Sequence, residues 1–254
     1  MTESPDAETV ITARDVAMGF GGRTIFKDVS FDVRRGEVFV ILGGSGCGKS
    51  TLLKLLIGLM PPTRGDISVL DGDWTKLEGN ERRHLLQRIG VMWQSGALLG
   101  SLTLAENVML PIEAHTKLPE AARALIASAK LGLVGLGDAV GKLPAEISGG
   151  MLKRAGIARA MALDPEILFL DEPSAGLDPI TSAGLDALIL SLARETGTTF
   201  VVVTHELQSI LAIGDRCIML DKDAQGLIAE GDPKKLRDES EHPTVRAFFR
   251  REAM

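Results

Sequence analysis

Apolar and polar residues alternate along much of the first part of the chain. The alternation covers Val10–Met18 and Thr24–Val33, and it predicts two half-buried antiparallel strands. Glu37–Leu42 is a short, continuous apolar run that ends in glycines, as expected of a strand buried on both faces. Asp66–Leu70 is typical of a further strand, closed by a turn at Asp71-Gly72. The chain is therefore expected to begin as a β-rich region.

Helical spacing of apolar residues first appears in Lys49–Leu59, and Pro61-Pro62 ends this predicted helix. From about residue 95 to residue 165 the strand signals vanish. Helical periodicity takes over in three segments, Leu104–Glu113, Pro119–Leu131 and Met151–Leu163. This change of pattern predicts a helical lobe inserted into an α/β body.

Strand signals return after this lobe. Ile167–Leu170 and Thr199–Val203 are predicted as buried strands, separated by a helix over Ile180–Arg194. The tail, from about Lys234 onward, is charged and is predicted to be helical in pieces. We therefore expect a single domain with three parts: an α/β core with an N-terminal β-subdomain over 1–94 and 166–232, a helical subdomain over 95–165, and a helical tail over 233–254.

The segment between the Glu37–Leu42 strand and the Lys49–Leu59 helix has the pattern G-x-x-x-x-G-K-[ST] in a strand–loop–helix context, which is that of a phosphate-binding loop. Its glycines let successive backbone N–H groups face phosphates, and the helix N-terminus adds the positive end of its dipole. We expect Lys49 to bridge the β- and γ-phosphates of ATP and Ser50 to bind Mg²⁺. The predicted nucleotide contacts are Gly43, Gly44, Ser45, Gly46, Cys47, Gly48, Lys49, Ser50 and Thr51.

Two consecutive carboxylates follow the buried strand Ile167–Leu170. Asp171, at the strand end, is expected to hold the metal ion, mostly through water. Glu172 comes one residue later, where a carboxylate beside the γ-phosphate can orient and polarise the attacking water. An apolar run that ends in Asp is common, and Glu172 could be a solvated turn residue. The second carboxylate, together with the phosphate-binding loop, favours ATP hydrolysis.

The composition argues against several classes of protein. The chain of 254 residues carries a net charge of −6 with a pI near 5.3. Phosphate backbones favour clustered Lys and Arg, so no nucleic-acid partner is expected. No apolar run approaches the roughly 20 residues needed to cross a bilayer. The acidic, polar N-terminus is not expected to be a signal peptide.

Cys47 and Cys217 are the two cysteines of the chain. They lie far apart in the sequence, so we expect no structural disulfide and a reducing cytoplasm. Both are interpreted as small buried side chains. The alternative is redox sensing through Cys47, because an oxidised thiol in the phosphate-binding loop would block the nucleotide.

The segment Ile147–Met151 reads Ile-Ser-Gly-Gly-Met and precedes the predicted helix Met151–Leu163. Ser148, Gly149 and Gly150 form an anion-binding helix N-terminus without a lysine. With the phosphate-binding loop and the strand-end carboxylates, this segment resembles the signature loop of the nucleotide-binding subunits of ABC transporters. The resemblance covers essentially the whole chain. It implies a P-loop NTPase of the ABC-ATPase fold, with a RecA-like core, an antiparallel β-subdomain and an inserted helical lobe.

The same resemblance implies roles for further residues. Gln94 matches the Q-loop glutamine, which reaches Mg²⁺ and the attacking water, and His205 matches the switch histidine that grips the γ-phosphate. Asp178 matches the aspartate that lines the dimer seam. Phe20 falls where the family places an aromatic ring against adenine, and Phe26 is a less favoured substitute interpreted as core. The implied catalytic residues are thus Lys49, Gln94, Glu172 and His205, and the implied metal ligands are Ser50, Gln94 and Asp171.

Two positions depart from the signature pattern of the family. Met151 stands where the usual residue is Gln, and Ile147 replaces the usual Leu. The first departure puts one polar contact across the dimer seam in doubt. Met151 with Lys153-Arg154, the segment Gln94–Leu98 and Asp178-Pro179-Ile180 instead resemble one branch of the family, the ATPases of Mce/Mla-type lipid transport.

The resemblance also implies a mechanism and partners. Two copies bind two ATP molecules head to tail, with Ser148 and Gly150 of one copy facing the phosphate-binding loop of the other, and hydrolysis opens this homodimer. The motion drives an integral membrane permease dimer, whose coupling helix docks in a groove near Ser95–Glu106. The Mla-type branch adds an MCE-domain protein and a small STAS-domain regulatory subunit. The chain is then expected in the cytoplasm, peripheral on the cytoplasmic face of the inner membrane.

Three functional hypotheses remain open from the sequence. The first is the energising subunit of phospholipid transport between the membranes of a Gram-negative envelope. The second is the ATPase of an importer for a polar solute such as an amino acid. The third is a soluble ABC ATPase that acts on DNA or ribosomes. The third is disfavoured, because the span 43–171 has no heptad run, only one cassette exists and the chain is acidic.

Overall fold

The computed structural model of the chain describes residues 8–251. The strands are β1 (Thr9–Phe20), β2 (Arg23–Arg34), β3 (Val38–Gly43), β4 (Arg64–Val69), β5 (Gly72–Asp73), β6 (Ile89–Met92), β7 (Ile167–Asp171), β8 (Thr199–Val203), β9 (Arg216–Asp221) and β10 (Gly226–Gly231). The α-helices are α1 (Lys49–Leu56), α2 (Gly79–Gln87), α3 (Leu104–His115), α4 (Glu120–Leu133), α5 (Gly149–Ala160), α6 (Pro179–Thr196), α7 (Leu207–Ile213), α8 (Pro233–Glu239) and α9 (Pro243–Arg250). The predictions for the start of the N-terminal segment and the end of the tail lie outside the described range.

The first sheet is antiparallel, in the order β2-β1-β4-β5. Its two long strands are the alternating segments of the sequence, and they pair from Thr9 opposite Arg34 to Phe20 opposite Arg23. The alternation places side chains such as Val16, Val29 and Val33 in the core and leaves polar side chains on the other face. This sheet extends as far as Phe20, at the tip of the β1–β2 hairpin.

The second sheet carries the phosphate-binding loop and has the order β10-β9-β3-β8-β7-β6. All its neighbouring strands run parallel except β9 and β10. Every residue of β3, β7 and β8 is buried, which explains why these strands are continuous apolar runs. The carboxyl ends of parallel strands meet at one edge, and this edge is the usual ligand-binding edge of such sheets.

The segment between β6 and β7 consists of helices and the loops that join them. α3 begins with a capping box, in which Thr103 and Glu106 satisfy each other's backbone N–H groups. Apolar side chains of α3, α4 and α5 form one core with the face of the parallel sheet that lies beneath them. The lobe is therefore packed firmly against β7 and β8.

Several elements differ from the sequence-based expectation. β6, β9 and β10 were not predicted as strands, and α1 ends three residues before the predicted Leu59. The helix α5 begins at Gly149 rather than at Met151, because Ser148 caps it and accepts a hydrogen bond from the Met151 N–H at 3.3 Å. Gly149 and Gly150 thus lie in the first helical turn.

Candidate nucleotide site

The phosphate-binding loop connects β3 to α1 with a backbone that requires glycine. Gly43, Gly46 and Gly48 have φ values of 148°, 76° and 105°, a region that L side chains rarely adopt. A Cβ on Gly43 would lie 2.3 Å from the carbonyl oxygen of Leu220. The glycines therefore permit both the tight turn and the close approach of the neighbouring strand.

Lys49 begins α1 and folds back over this loop. Its Nζ donates hydrogen bonds to the carbonyl oxygens of Gly43 at 2.8 Å and Gly44 at 3.1 Å. Gly48 precedes the helix and provides no side-chain cap, and no acidic residue occupies the first turn. The first backbone N–H groups of α1 and the Lys49 ammonium are therefore suited to bind an anion such as a phosphate.

Cys47 is buried in this loop, with 1% of its surface exposed. Burial raises the pKa of its thiol, and the Lys49 charge opposes this effect only in part. Burial likewise raises the pKa of Cys217 to about 12. Redox sensors have exposed thiols of low pKa, so this environment disfavours the redox interpretation of Cys47.

Asp171 and Glu172 lie at the carboxyl end of β7, and both are buried, with exposures of 8% and 9%. Among residues 8–251, Asp171 Oδ1 and Glu172 Oε2 have no hydrogen-bond partner. Burial raises the pKa of Asp171, the Glu172 charge adds to the increase, and the lysines of α1 oppose it. Buried, unpartnered carboxylate oxygens beside a phosphate-binding loop are the donor set that Mg²⁺ prefers. The residues present therefore fit a magnesium ion.

Glu172 has an unusual backbone conformation for a residue other than glycine, with φ 49°. Its N–H donates to the carbonyl of Val203 at 2.8 Å, which ties it to the end of β8. His205 lies two residues beyond that strand end, and a hydrogen bond of 2.8 Å joins His205 Nδ1 to Glu172 Oε1. A carboxylate only accepts, so the Nδ1 nitrogen carries the proton in this pair. The structure thus brings Glu172 and His205 together.

Gln94 lies two residues beyond β6, the edge strand that neighbours β7. β6 and β7 pair in register, with Met92 opposite Leu170, so Gln94 and Glu172 follow neighbouring strand ends. The Gln94 side chain is exposed. The main-chain carbonyl of Gln94 accepts a hydrogen bond from Lys153 of α5. Sequence analysis gave Lys153 no role at the site.

Phe20 is exposed to 51% and lies on a cleft of about 680 Å³ beside the phosphate-binding loop. Phe26 is fully buried and cannot reach this cleft, as predicted. The β9–β10 turn forms the opposite wall and was missed by sequence analysis. The cleft is lined by Phe20, Arg23, Thr24, Ile25, Gly46, Lys222, Asp223 and Gln225.

The signature segment and Asp178 form a second group of site residues. Ser148 and Gly149 are exposed, whereas Gly150 is buried so closely against α6 that a Cβ would lie 2.4 Å from Thr181 Cγ2. Asp178 caps α6 and accepts from the N–H groups of Ile180 and Thr181, both at 3.1 Å. Over residues 8–251 no hydrogen bond joins this group to the phosphate-binding loop.

Comparison with known proteins identifies the family. Residues 26–175 match the family model described as ABC transporter. This chain belongs to the ABC transporter family. The chain is thus an ATP-binding subunit that couples ATP hydrolysis to transport.

Two relatives match nearly the whole chain of this ABC ATPase. The probable ribonucleotide transport ATP-binding protein mkl of Mycobacterium leprae is 41% identical over 239 residues, which are 94% of this chain and 68% of the relative. The intermembrane phospholipid transport system ATP-binding protein MlaF of Escherichia coli K12 is 38% identical over 242 residues, 94% of this chain and 88% of the relative. The predicted resemblance to the Mla-type branch is confirmed.

Solved ABC cassettes share the fold, as predicted. The dimeric cassette MJ0796 in a post-hydrolysis state with ADP and Pi has a TM-score of 0.78 at 30% identity, over 87% of this chain and 98% of that one. The cassette cbiO1 of Clostridium perfringens, part of the transporter complex cbiONQ, has a TM-score of 0.83 at 27% identity, over 91% of this chain and 92% of that one. The first of these is a dimer with hydrolysed nucleotide.

Two kinds of feature are absent from the described part of this ABC ATPase. Between residues 8 and 251, no helix is both long and apolar enough to span a bilayer. Within the same range, no group of three or more His, Cys, Asp or Glu side chains is arranged to hold a metal ion. The magnesium fit described above accordingly depends on Asp171 and on groups outside that set, such as Ser50 and phosphate oxygens.

Proposed function

We propose that this ABC ATPase drives phospholipid transport between the two membranes of a Gram-negative envelope. The observation that carries the proposal is the match to MlaF, an intermembrane phospholipid transport protein, over 94% of this chain and 88% of that relative. The similarity extends through both the core and the helical lobe. A shared transport task is a simple explanation of such an extended match.

The proposed catalytic step uses the pair at the ends of β7 and β8. Glu172 accepts a proton from water as the water oxygen attacks the γ-phosphorus, and the bond from that phosphorus to the β–γ bridging oxygen breaks. His205 holds Glu172 Oε1 in place through the 2.8 Å hydrogen bond. Lys49 binds the β- and γ-phosphates, and Phe20 stacks on adenine in the cleft beside Gly46.

A magnesium ion completes this proposed site. When bound, it supplies positive charge to the β- and γ-phosphate oxygens. Ser50, Asp171 and Gln94 would hold it, directly or through water. The unpartnered Asp171 Oδ1 supports this assignment, because a buried carboxylate oxygen without a donor is costly unless a cation occupies the site.

We further propose that two copies form the working unit. The exposed Ser148 and Gly149 of one copy would bind the γ-phosphate held by the other, with Gly150 supporting their backbone and Asp178 lining the seam. The dimeric MJ0796 cassette supports this arrangement. Site closure then depends on ATP, and hydrolysis releases the two copies from each other.

The motion must reach membrane partners, which we propose to be a permease dimer, an MCE-domain protein and a STAS-domain subunit. The chain would then lie on the cytoplasmic face of the inner membrane. The predicted docking region Ser95–Glu106 supports this proposal, because Leu99 is half exposed there. A cleft of about 320 Å³ lies nearby, between α2, β6, α3 and α5, with Pro111 and Arg159 in its wall.

Replacing Glu172 by Gln tests the catalytic proposal. The amide cannot accept the proton from water, so turnover should fall about 100-fold or more while ATP binding is retained. The variant should accumulate as an ATP-bound dimer in gel filtration. Adding Lys49→Ala to the same chain is the control, because weakened phosphate binding should return it to monomer. A Glu172→Gln chain that stays monomeric and continues to hydrolyse ATP contradicts the proposal.

A polar solute is the second candidate substrate, because mkl is named as a probable ribonucleotide transporter and is 41% identical. Isolation of the chain from its native membranes, followed by mass spectrometry of proteins and lipids, separates the two. A permease with an MCE-domain protein and enriched phospholipid supports lipid transport. A permease with a solute-binding protein and no enriched lipid supports the polar solute.

A further inference from the structure

Lys153 is a buried cation in the second turn of α5, the helix that begins with the signature segment. Only 7% of its surface is exposed. Its Nζ donates to the main-chain carbonyl of Glu172 at 3.2 Å and also to that of Gln94. A buried ammonium is retained at a high cost in solvation unless its N–H donors are used. Here they are used on the two loops that carry the proposed catalytic side chains.

The segment Gln94–Leu98, here called the Gln94 loop, is fixed to the same face of α5 by further contacts. Arg159 donates to the carbonyls of Gly96 at 2.9 Å and Ala97 at 2.6 Å. Gly156 lies between Lys153 and Arg159 on this helix face, and a Cβ there would be 3.1 Å from the Gly96 Cα. These contacts tie the loop to the helix at several points.

Lys153 differs from Arg159 in one respect. Among residues 8–251, the side-chain hydrogen bonds of Arg159 go to the Gln94 loop, whereas Lys153 also reaches the carboxyl end of β7, at Glu172. It is thus a direct link from α5 to both loops around the γ-phosphate position. Ser148 caps this helix of 12 residues, so α5 connects the signature segment to both loops.

We propose that Lys153 is a positioning residue for hydrolysis, which sets the spacing of the Gln94 and Glu172 loops and couples it to the position of the signature segment. The inference rests on the roles proposed above for Gln94 and Glu172. The hydrogen bonds of Lys153 go to the main-chain carbonyls of Gln94 and Glu172, so it acts through those two residues. Displacing a reacting group by about 1 Å can lower a rate about 100-fold, so a link of this kind affects turnover more than binding.

The test compares Lys153→Met with Arg159→Met, in the full chain with ATP and Mg²⁺. Met keeps the length and apolar character of the lysine stem but donates no hydrogen bond. We expect kcat to fall about tenfold or more in Lys153→Met, with KM for ATP within about threefold of the native value. Arg159→Met leaves the Glu172 carbonyl contact intact, and its kcat should fall by less than about threefold.

Two further variants make the result decisive. Lys153→Gln retains N–H donors on a shorter side chain and should recover part of the lost kcat. If Lys153→Met does not fold, Lys153→Gln carries the test, and a kcat reduced more than about threefold at native KM supports the proposal. Glu172→Gln, measured in parallel, tests the proposed site itself.

Native kcat in the folded Lys153 variant, beside an inactive Glu172→Gln, overturns the positioning role and leaves the site proposal intact. An equal loss in Arg159→Met overturns the link to Glu172 in favour of the Gln94 loop alone. If KM for ATP in Lys153→Met rises by the same factor as kcat falls, or if the thermal midpoint of this variant drops strongly, Lys153 has a packing role instead. Full turnover in Glu172→Gln removes the proposed site, and the inference with it.

Discussion

Buried carboxylates of this chain occupy two kinds of surroundings. Asp171 lies beside the phosphate-binding loop, where an unpartnered oxygen can bind a cation. Asp186 is buried between α6 and α7, away from that loop, with 6% exposure. Its Oδ2 accepts from Ser209 Oγ at 2.9 Å, while its Oδ1 has no partner among residues 8–251. The same residue type thus has a proposed ligand role in one place and, in the other, is buried with a single hydrogen-bond donor among residues 8–251.

Replacing Asp186 by Asn should stabilise the protein more as the pH rises. Burial raises the pKa of Asp186. At a pH between the pKa of a solvated aspartate and this raised value, the native state therefore binds a proton that the unfolded chain has released. The stability from this group is therefore fully present below the pKa of a solvated aspartate and is lost as pH rises towards the raised native value. Asn does not titrate and removes this loss.

Thermal unfolding from about pH 4, near the pKa of a solvated aspartate, to about pH 7 measures the effect. The midpoint of Asp186→Asn should exceed that of the native chain by roughly 2 °C or more at the upper end and by less at the lower end. Ser209→Ala is the matched control, since it removes the one donor to Asp186 and should lower the midpoint most at high pH. A pH-independent difference for Asp186→Asn contradicts the prediction.

At the scale of elements, the sequence predicts most strands and helices because each has one dominant signal. β3, β7 and β8 are recognisable as apolar runs, and Asp171 is predicted from its position at the end of one of them, whereas the role of His205 came from the resemblance to the family. Asp171 and Glu172 need only local sequence to be identified, because the carboxylates adjoin a strand that the apolar pattern predicts.

Other elements carry weaker local signals. β6 is only four residues long, and β9 and β10 depend on each other and on β3 for their pairing, which local sequence does not encode. Their turn therefore escaped prediction as a wall of the Phe20 cleft. Lys153 escaped for a similar reason, since its spacing on α5 says nothing about the carbonyls that a folded chain brings to it.

The capping box of α3 offers a test of element stability. Thr103→Ala removes the side-chain oxygen that accepts from the Glu106 N–H at 3.2 Å, and the free energy of unfolding should fall by about 1 kcal/mol. Thr103→Ser retains the hydroxyl and should lose much less. Urea denaturation measures both variants. Equal stability of Thr103→Ala and the native chain contradicts a stabilising cap.

At the scale of the whole molecule, the two groups of site residues belong to different parts of one chain. Lys49, Glu172 and His205 lie beyond the carboxyl ends of the parallel strands β3, β7 and β8, whereas Ser148 caps a helix of the lobe. Ser148 is exposed and makes its hydrogen bond within its own helix. The head-to-tail pairing proposed above would bring both groups together, and twofold symmetry would then give two equal sites.

Complementation between two inactive variants tests this pairing. Lys49→Ala removes phosphate binding, and Ser148→Arg blocks the signature surface, so each variant alone should form two defective sites. A mixed dimer contains one site with native Lys49 from one chain and native Ser148 from the other. Equal mixing makes half of the dimers mixed with one intact site of two, so turnover should recover to about a quarter of the native value. If Lys49 and Ser148 acted within the same chain, every site in the mixture would carry one defect, and mixing would restore no activity.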